Sequence, residues 1–330
     1  MASSADAADW GSAPALTWAP LAAPQLAAYL ARIGVAAAAC ATRDVAALRA
    51  VVRGHALSIP FESFDVTLRE HVSLDMRDVF EKIVARRRGG FCLETSFLLR
   101  SALQALGFEL CLRAARVWYR VPAAEYAPLE PPIPRLHVVL VVRVAGAAAG
   151  AAAGAATGAA TESEAGEFLV DVGFGGGGPP EPLPLRDGNV ATAAGDVFRT
   201  DAGDATRGED SWVLWGVQGG AWRRLYTFEH ITFDCPRVHA ADFLPVSHFV
   251  QAGRGTLFHN IRVATMPRPD GRITLLKNEL RRRGAERLGA EPAVEVTAVA
   301  DACEYRRLAN VHFGIALTEE QARKVFDADA

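Results

Sequence analysis

Arg88-Gly89-Gly90-Phe91-Cys92-Leu93-Glu94 is the stretch on which the fold turns. Two successive glycines let the backbone turn sharply and approach other groups closely. Leu93, Phe97, Leu98, Ala102, Leu103 and Leu106 then fall at helical spacing, and Gly107 closes the pattern at the C′ position. The spacing predicts a helix over 92–106 that begins at a cysteine. A helix N-terminus offers free N–H groups and a partial positive charge, and both favour thiolate over thiol. The same amides can hold an oxyanion formed when that thiolate attacks a carbonyl. A cysteine in an apolar chain is ordinarily a small buried hydrophobe, and Cys40, Cys111 and Cys303 are read that way. Cys92 stands at a turn–helix junction and is read as a nucleophile.

A thiolate nucleophile needs a base. His137 opens the apolar run 138–142, read as a buried strand with the imidazole at its mouth. Asp171 stands in the middle of Phe168-Leu169-Val170-Asp171-Val172, where burying a lone carboxylate is costly and an imidazole would be a partner. Cys92, His137 and Asp171 thus form a nucleophile–base–orienter set. Behind Asp171, the run Gly173-Phe174-Gly175-Gly176-Gly177-Gly178 can turn amides toward a phosphate. No Gly-Lys-Ser/Thr follows, so it is no P-loop; it is read as a cofactor wall.

Outward from this core, the first third is helical. Leu26, Tyr29, Leu30 and Ile33 mark a helical pattern over 24–48 broken at Gly34, and Met76, Val79, Phe80 and Ile83 mark another over 75–86. The texture then changes to strands at 110–121, 137–144, 168–172, 212–217 and 222–228, with Gly219-Gly220 turning the last two into a hairpin. These predict a barrel or curled sheet. An almost pure Ala/Gly segment between two of the strands is read as a flexible surface insertion without chemistry of its own. Strands over 256–266 and 271–277, joined by Pro269-Asp270-Gly271, and a terminal helix opened by the Thr318–Gln321 capping box predict a smaller α/β unit. The resulting division is a helical domain over 1–107 with a loose leader over 1–20, a β-barrel domain over 108–230 carrying the insertion at 145–166, and a linker with an α/β lid over 231–330.

The 330 residues exceed one ordinary core. A formal net charge of −3 gives no reason to expect nucleic acid or a membrane surface as partner. Arg86-Arg87-Arg88 and Arg281-Arg282-Arg283 are read as solvated helix or loop faces, with attraction of a phosphate-bearing cofactor as the secondary reading. The odd, widely spaced cysteines fit a reducing compartment, and neither a signal peptide nor an apolar run of roughly 20 residues is seen, so a cytoplasmic protein is expected. His55, His71, His230, His239, His248, His259 and His312 are taken as surface or satisfied core residues. Cys235 and His239 lack further ligands, and no metal is predicted.

The motifs resemble the arylamine N-acetyltransferase family. Arg88–Glu94 looks like its nucleophile motif, Leu136-His137-Val138-Val139-Leu140 like its histidine strand, and Leu169-Val170-Asp171-Val172-Gly173-Phe174-Gly175 like its aspartate strand and loop. Ile59-Pro60-Phe61-Glu62-Ser63-Phe64-Asp65-Val66 and Pro245-Val246-Ser247-His248-Phe249 resemble two further family segments. Thr95-Ser96 stand where the family usually has an Asn, and Ser63 replaces another. The resemblance implies an α+β chain of three domains, namely a helical bundle, a central β-barrel and a C-terminal α/β lid, around a cysteine-protease-like Cys-His-Asp core. It implies acetyl-CoA as co-substrate, a small arylamine or arylhydrazine as acceptor, and a role in xenobiotic metabolism, with an oligomer possible. It carries Cys92, His137 and Asp171 over as the triad, Phe61 and Phe174 as walls of the acceptor pocket, and Gly173, Gly175 and Gly176 as neighbours of the CoA pyrophosphate. An amide synthase fed by a carrier protein and a Cys-His-Asp thiol hydrolase stay open as alternatives.

Overall fold

The computed structural model describes residues 18–118, 121, 133–145, 165–203, 211–229, 238–252 and 261–328. The expected leader, the body of the Ala/Gly insertion, His230, Cys235 and His259 lie outside these residues, apart from the leader's last three positions.

The N-terminal part is helical. Helix α1 (Ala23–Arg32) carries Pro24 in its first turn, which its fixed φ suits, and α2 (Val45–Ser58) is capped by Asp44, whose carboxylate accepts from the Ala47 N–H at 2.8 Å. Strand β1 (Phe61–Glu62) and helix α3 (Phe64–Leu68) follow. Helix α4 (Met76–Phe80) continues into a π-helical turn, Glu81–Ala85. Helix α5 (Cys92–Ala105) begins at the cysteine and ends, as the spacing predicts, before Gly107, which takes φ +83°. Arg32 holds three helix ends together: its guanidinium donates to Ser58 O at 2.7 Å, Ile83 O at 3.2 Å and Arg87 O at 3.4 Å. Tyr29 and His55, both fully buried, share a 2.9 Å hydrogen bond within this bundle.

Strands β2 (Glu109–Val117), β3 (Arg135–Val144), β4 (Gly166–Val170), β5 (Leu183–Pro184), β6 (Asn189–Ala193), β7 (Asp196–Ala202), β8 (Ser211–Gln218) and β9 (Ala221–Glu229) form an eight-stranded, nearly closed antiparallel sheet in the order β5-β4-β3-β2-β9-β8-β7-β6. Gly219 and Gly220, at φ +56° and +74°, make the tight β8–β9 hairpin that their sequence predicts. Helix α6 (Leu244–Ala252) packs back on the helical part, its Val250 in the same apolar cluster as Phe97.

The C-terminal part pairs β10 (Val263–Arg268), β11 (Gly271–Leu276), β12 (Glu279–Gly284) and β13 (Val294–Ala298), covered by α7 (Ala302–Phe313) and α8 (Glu319–Asp327). The Thr318–Gln321 capping box opens α8 as predicted. Strand β1 joins this sheet beside β10, Phe61 opposite Thr265, so the N-terminal part supplies a strand to the C-terminal one.

Two basic runs differ from their sequence reading. Arg281-Arg282-Arg283 lies on strand β12, where Arg283 alone is partly buried and meets Asp196 at 2.9 Å. Arg88 is buried rather than solvated, because Glu62 and Asp65 receive its guanidinium. Asp171 is the first residue beyond β4, not the middle of a strand.

A Cβ on Gly89 would lie 2.1 Å from Pro60 O and 2.8 Å from the Glu62 side chain. Gly89→Ala is therefore expected to destabilise the chain by ~2–4 kcal/mol, read by urea denaturation; a change under half that would show the turn has room to spare.

Candidate active site

Cys92 is the first residue of α5 and is 5 % exposed. Its helix is capped from within: the Glu94 Oε2 accepts from the Phe91 N–H at 3.0 Å. Glu94 Oε1 accepts from Lys82 Nζ at 2.8 Å, and Lys82 also meets Asp65 Oδ2 at 2.6 Å. Arg88 bonds Glu62 Oε1 at 2.6 Å and Asp65 Oδ1. Burial pushes the Glu94 carboxyl up to about 7 against the opposing pull of Lys82. Gly90 leaves room for this carboxylate, since a Cβ there would sit 2.9 Å from Glu94 Oε2.

His137 lies in β3 beside a β-bulge. Ala115 faces His137 but Arg116 faces Arg135, so Leu136 is the extra residue. Such bulges re-aim a side chain where a straight ladder would not. The Cys92 thiol lies 3.9 Å from the Leu136 carbonyl oxygen, at the bulge itself. His137 Nε2 is 2.9 Å from Asp171 Oδ2. An ionised carboxylate only accepts, so Nε2 carries its proton toward Asp171 and Nδ1 is left for the thiol. Burial works against the imidazolium, but the Asp171 carboxylate and, less strongly, Cys92 lift His137 to about 10.

Asp171 spends its second oxygen, Oδ1, on the Gly173 N–H at 2.9 Å. That amide is therefore engaged and not turned to a phosphate. Gly173 instead permits close approach: a Cβ there would stand 2.8 Å from Cys92 Cα, so the aspartate loop rests directly on Cys92. Tyr226 on β9 completes the surround. It is fully buried, with its ring 5.4 Å from His137 and 5.1 Å from Phe174. Burial, then the Asp171 charge, keeps its hydroxyl protonated. The sequence places Tyr226 in a strand but gives no signal for its nearness to His137, which depends on the β2–β9 pairing.

Phe61 and Phe174 line one narrow cleft with Asp171, Gly175 and Arg272. The Phe174 ring meets the His137 ring edge-on at 5.4 Å. Gly175, at φ +73°, passes close over Phe61. Arg272 reaches from β11 to donate to Gly175 O at 2.6 Å and Gly178 O at 3.1 Å, so the glycine loop is anchored by the C-terminal sheet. Gly176 is exposed. The arrangement can deprotonate a thiol into a buried ion pair beside an aromatic cleft, which is the equipment of acyl transfer through a thioester.

A family model described as N-acetyltransferase matches residues 44–154 and 156–322. The arylamine N-acetyltransferase of Mycolicibacterium smegmatis is 36 % identical over 233 residues, covering 68 % of this chain and 73 % of that protein. The Mycobacterium tuberculosis enzyme of the same name is 34 % identical over 204 residues, and the match spans 62 % of each, less than two thirds of the relative's length. Among solved structures, the Mycobacterium marinum enzyme in complex with CoA aligns with TM-score 0.74 at 27 % identity over 92 % of this chain and 98 % of that one. The M. tuberculosis structure aligns with TM-score 0.73 at 27 % identity over 92 % and 100 %. On the strength of the matched length and this shared three-domain architecture, the chain belongs to the arylamine N-acetyltransferase family.

Proposed function

We propose that the chain moves an acetyl group from acetyl-CoA to an arylamine or arylhydrazine in two half-reactions through an acetyl-Cys92 intermediate. The observation that carries this reading is the 2.9 Å His137–Asp171 contact, buried beside a cysteine at a helix start. The Cys92 thiol gives its proton to His137 Nδ1 and the thiolate attacks the thioester carbonyl. Amides of the first turn of α5 face the developing oxyanion. The carbon–sulfur bond to CoA breaks, and the leaving thiolate takes the His137 proton. In the second half, the amine nitrogen attacks the acetyl-cysteine, His137 accepts the amine proton, and the Cys92 thiolate returns as the leaving group. Phe61 and Phe174 offer faces on which a neutral aromatic amine stacks. Gly175 and Gly176 border the route to the cleft. The free Cys40, Cys111 and Cys303 suit a reducing cytoplasm.

Intact-protein mass spectrometry after mixing with acetyl-CoA alone is expected to show one added acetyl group, lost on adding an aniline or hydrazine and absent from Cys92→Ala. A wild type that takes up no acetyl sinks acetyl-CoA as the donor.

A second prediction concerns pH. With the Asp171 carboxylate beside it, His137 is lifted to about 10, so an imidazolium is held next to Cys92 from neutral pH up to that value. In Asp171→Asn the carboxylate's lift is lost and burial, the largest effect, is opposed only by the weaker pull of Cys92, so the imidazole is expected to fall toward or below its ordinary value of about 6.5. At pH 7 the proton then rests on sulfur. Iodoacetamide alkylation of Cys92 is expected to slow by roughly 10²-fold at pH 7 and to recover as pH rises toward the ordinary thiol range near 8.5. An unchanged pH profile would remove Asp171 from the role given to it.

A further inference from the structure

The loop Gly173-Phe174-Gly175-Gly176-Gly177-Gly178 leaves β4 just past Asp171. Its five glycines give it wide backbone freedom and no side chains with which to hold itself. Its one side chain, Phe174, nonetheless has a defined place: the ring meets His137 edge-on at 5.4 Å and Tyr226 at 5.1 Å. The start of the loop is tied by the Gly173 N–H to Asp171 Oδ1 at 2.9 Å. That bond lies before Phe174 and does not fix the chain beyond it.

Arg272 supplies the second tie. It follows the turn Asp270-Gly271 on β11, where Ile273 and Leu275 enter the apolar cluster under α7. Alternation puts Arg272 on the other face of the sheet, toward the loop. Its buried guanidinium donates through two nitrogens, to Gly175 O at 2.6 Å and to Gly178 O at 3.1 Å. Between these carbonyls the loop closes on itself: a Cβ on Gly178 would stand 2.8 Å from Phe174 Cβ. A planar fork suits two carbonyls at once, whereas an ammonium is a single compact charge. Phe174 is thus framed by Asp171 on one side and Arg272 on the other.

We infer that Arg272 is a positioning residue for the acceptor: by gripping Gly175 and Gly178 it sets the Phe174 ring beside His137, and so gives the acetyl-enzyme its preference for amines that carry an aromatic ring. The inference rests on the reading of acetyl transfer through Cys92. It needs no contact between Arg272 and the reacting atoms. Without the grip the glycine loop is free to swing Phe174 away from His137. An amine with no ring draws nothing from that aromatic wall and is indifferent to its place.

Phenylhydrazine and methylhydrazine offer the same pair of nitrogens with and without an aromatic ring. Wild type, Arg272→Lys and Arg272→Gln are acetylated with acetyl-CoA, freed of excess donor and mixed with either hydrazine, and loss of the acetyl group is followed by intact-protein mass. The ratio of the phenylhydrazine rate to the methylhydrazine rate is expected to fall about tenfold in both variants, the effect of losing one charged hydrogen bond. In a Phe174→Leu background the same replacements are expected to move the ratio less than about twofold, since the ring through which Arg272 acts is gone. A ratio unchanged in either variant overturns the inference, because a merely structural loss slows both hydrazines alike. So does a tenfold fall that persists in the Phe174→Leu background. A wild type that takes up no acetyl removes the donor reading itself, before either hydrazine is added, and the inference falls with it.

Discussion

A buried cluster of five charges underlies the site. Arg88 meets Glu62 and Asp65, and Lys82 meets Asp65 and Glu94. Ions taken out of water each cost several kcal/mol, and removing one partner of such a set costs about 3–5 kcal/mol because the remainder is stranded. The cluster therefore tolerates only one arrangement of the segments that carry it: β1, α3, the π-helical turn, the glycine turn and α5. Glu62 fixes β1 and with it Phe61 in the cleft. Glu94 fixes the cap of α5 and with it Cys92. Phe64, next to Asp65, is carried into the apolar cluster under α7, 6.0 Å from Tyr305. One electrostatic knot thus orients Cys92, a wall of the cleft and the seat of the C-terminal sheet.

The three groups of the proposed triad come from two separate layers. The helical part supplies the thiol, and the barrel supplies the imidazole and carboxylate. Their meeting depends on close backbone contact, which is why Gly173 rests on Cys92 without a side chain between them. Arg272 adds the third layer by fastening the glycine loop from β11. Each layer contributes something the others cannot: a helix start, a bulged strand that aims a ring, and a guanidinium that holds a loop by its carbonyls.

Much of this was legible in the sequence where the signal is local. Gly89-Gly90 before an apolar helical pattern marks the start of α5, Gly107 its end, and Thr318 with Gln321 the start of α8. The convergence of Cys92, His137 and Asp171 could be suspected because each sits at a chemically odd place, a cysteine at a helix start and two polar groups among strand residues. Long-range pairing was not. Nothing in the spacing of Lys82, Glu62 and Asp65 tells that they converge, since they neutralise one another across elements rather than along one. The Arg281–Arg283 run looked solvated because a short window shows only its charge, yet Asp196 from the barrel makes the partial burial of Arg283 tolerable. Helix α7 and strands β6, β7 and β13 also escaped, their apolar residues being too sparse to impose a period.

The pairing of β1 with β10 sets residue 61 beside residue 265. Contacts so distant along the chain form late, after most of the polypeptide has left the ribosome. Until then the segment bearing Cys92 lacks the sheet that braces its cleft. A cleft that draws on both ends of the chain is complete only when synthesis ends.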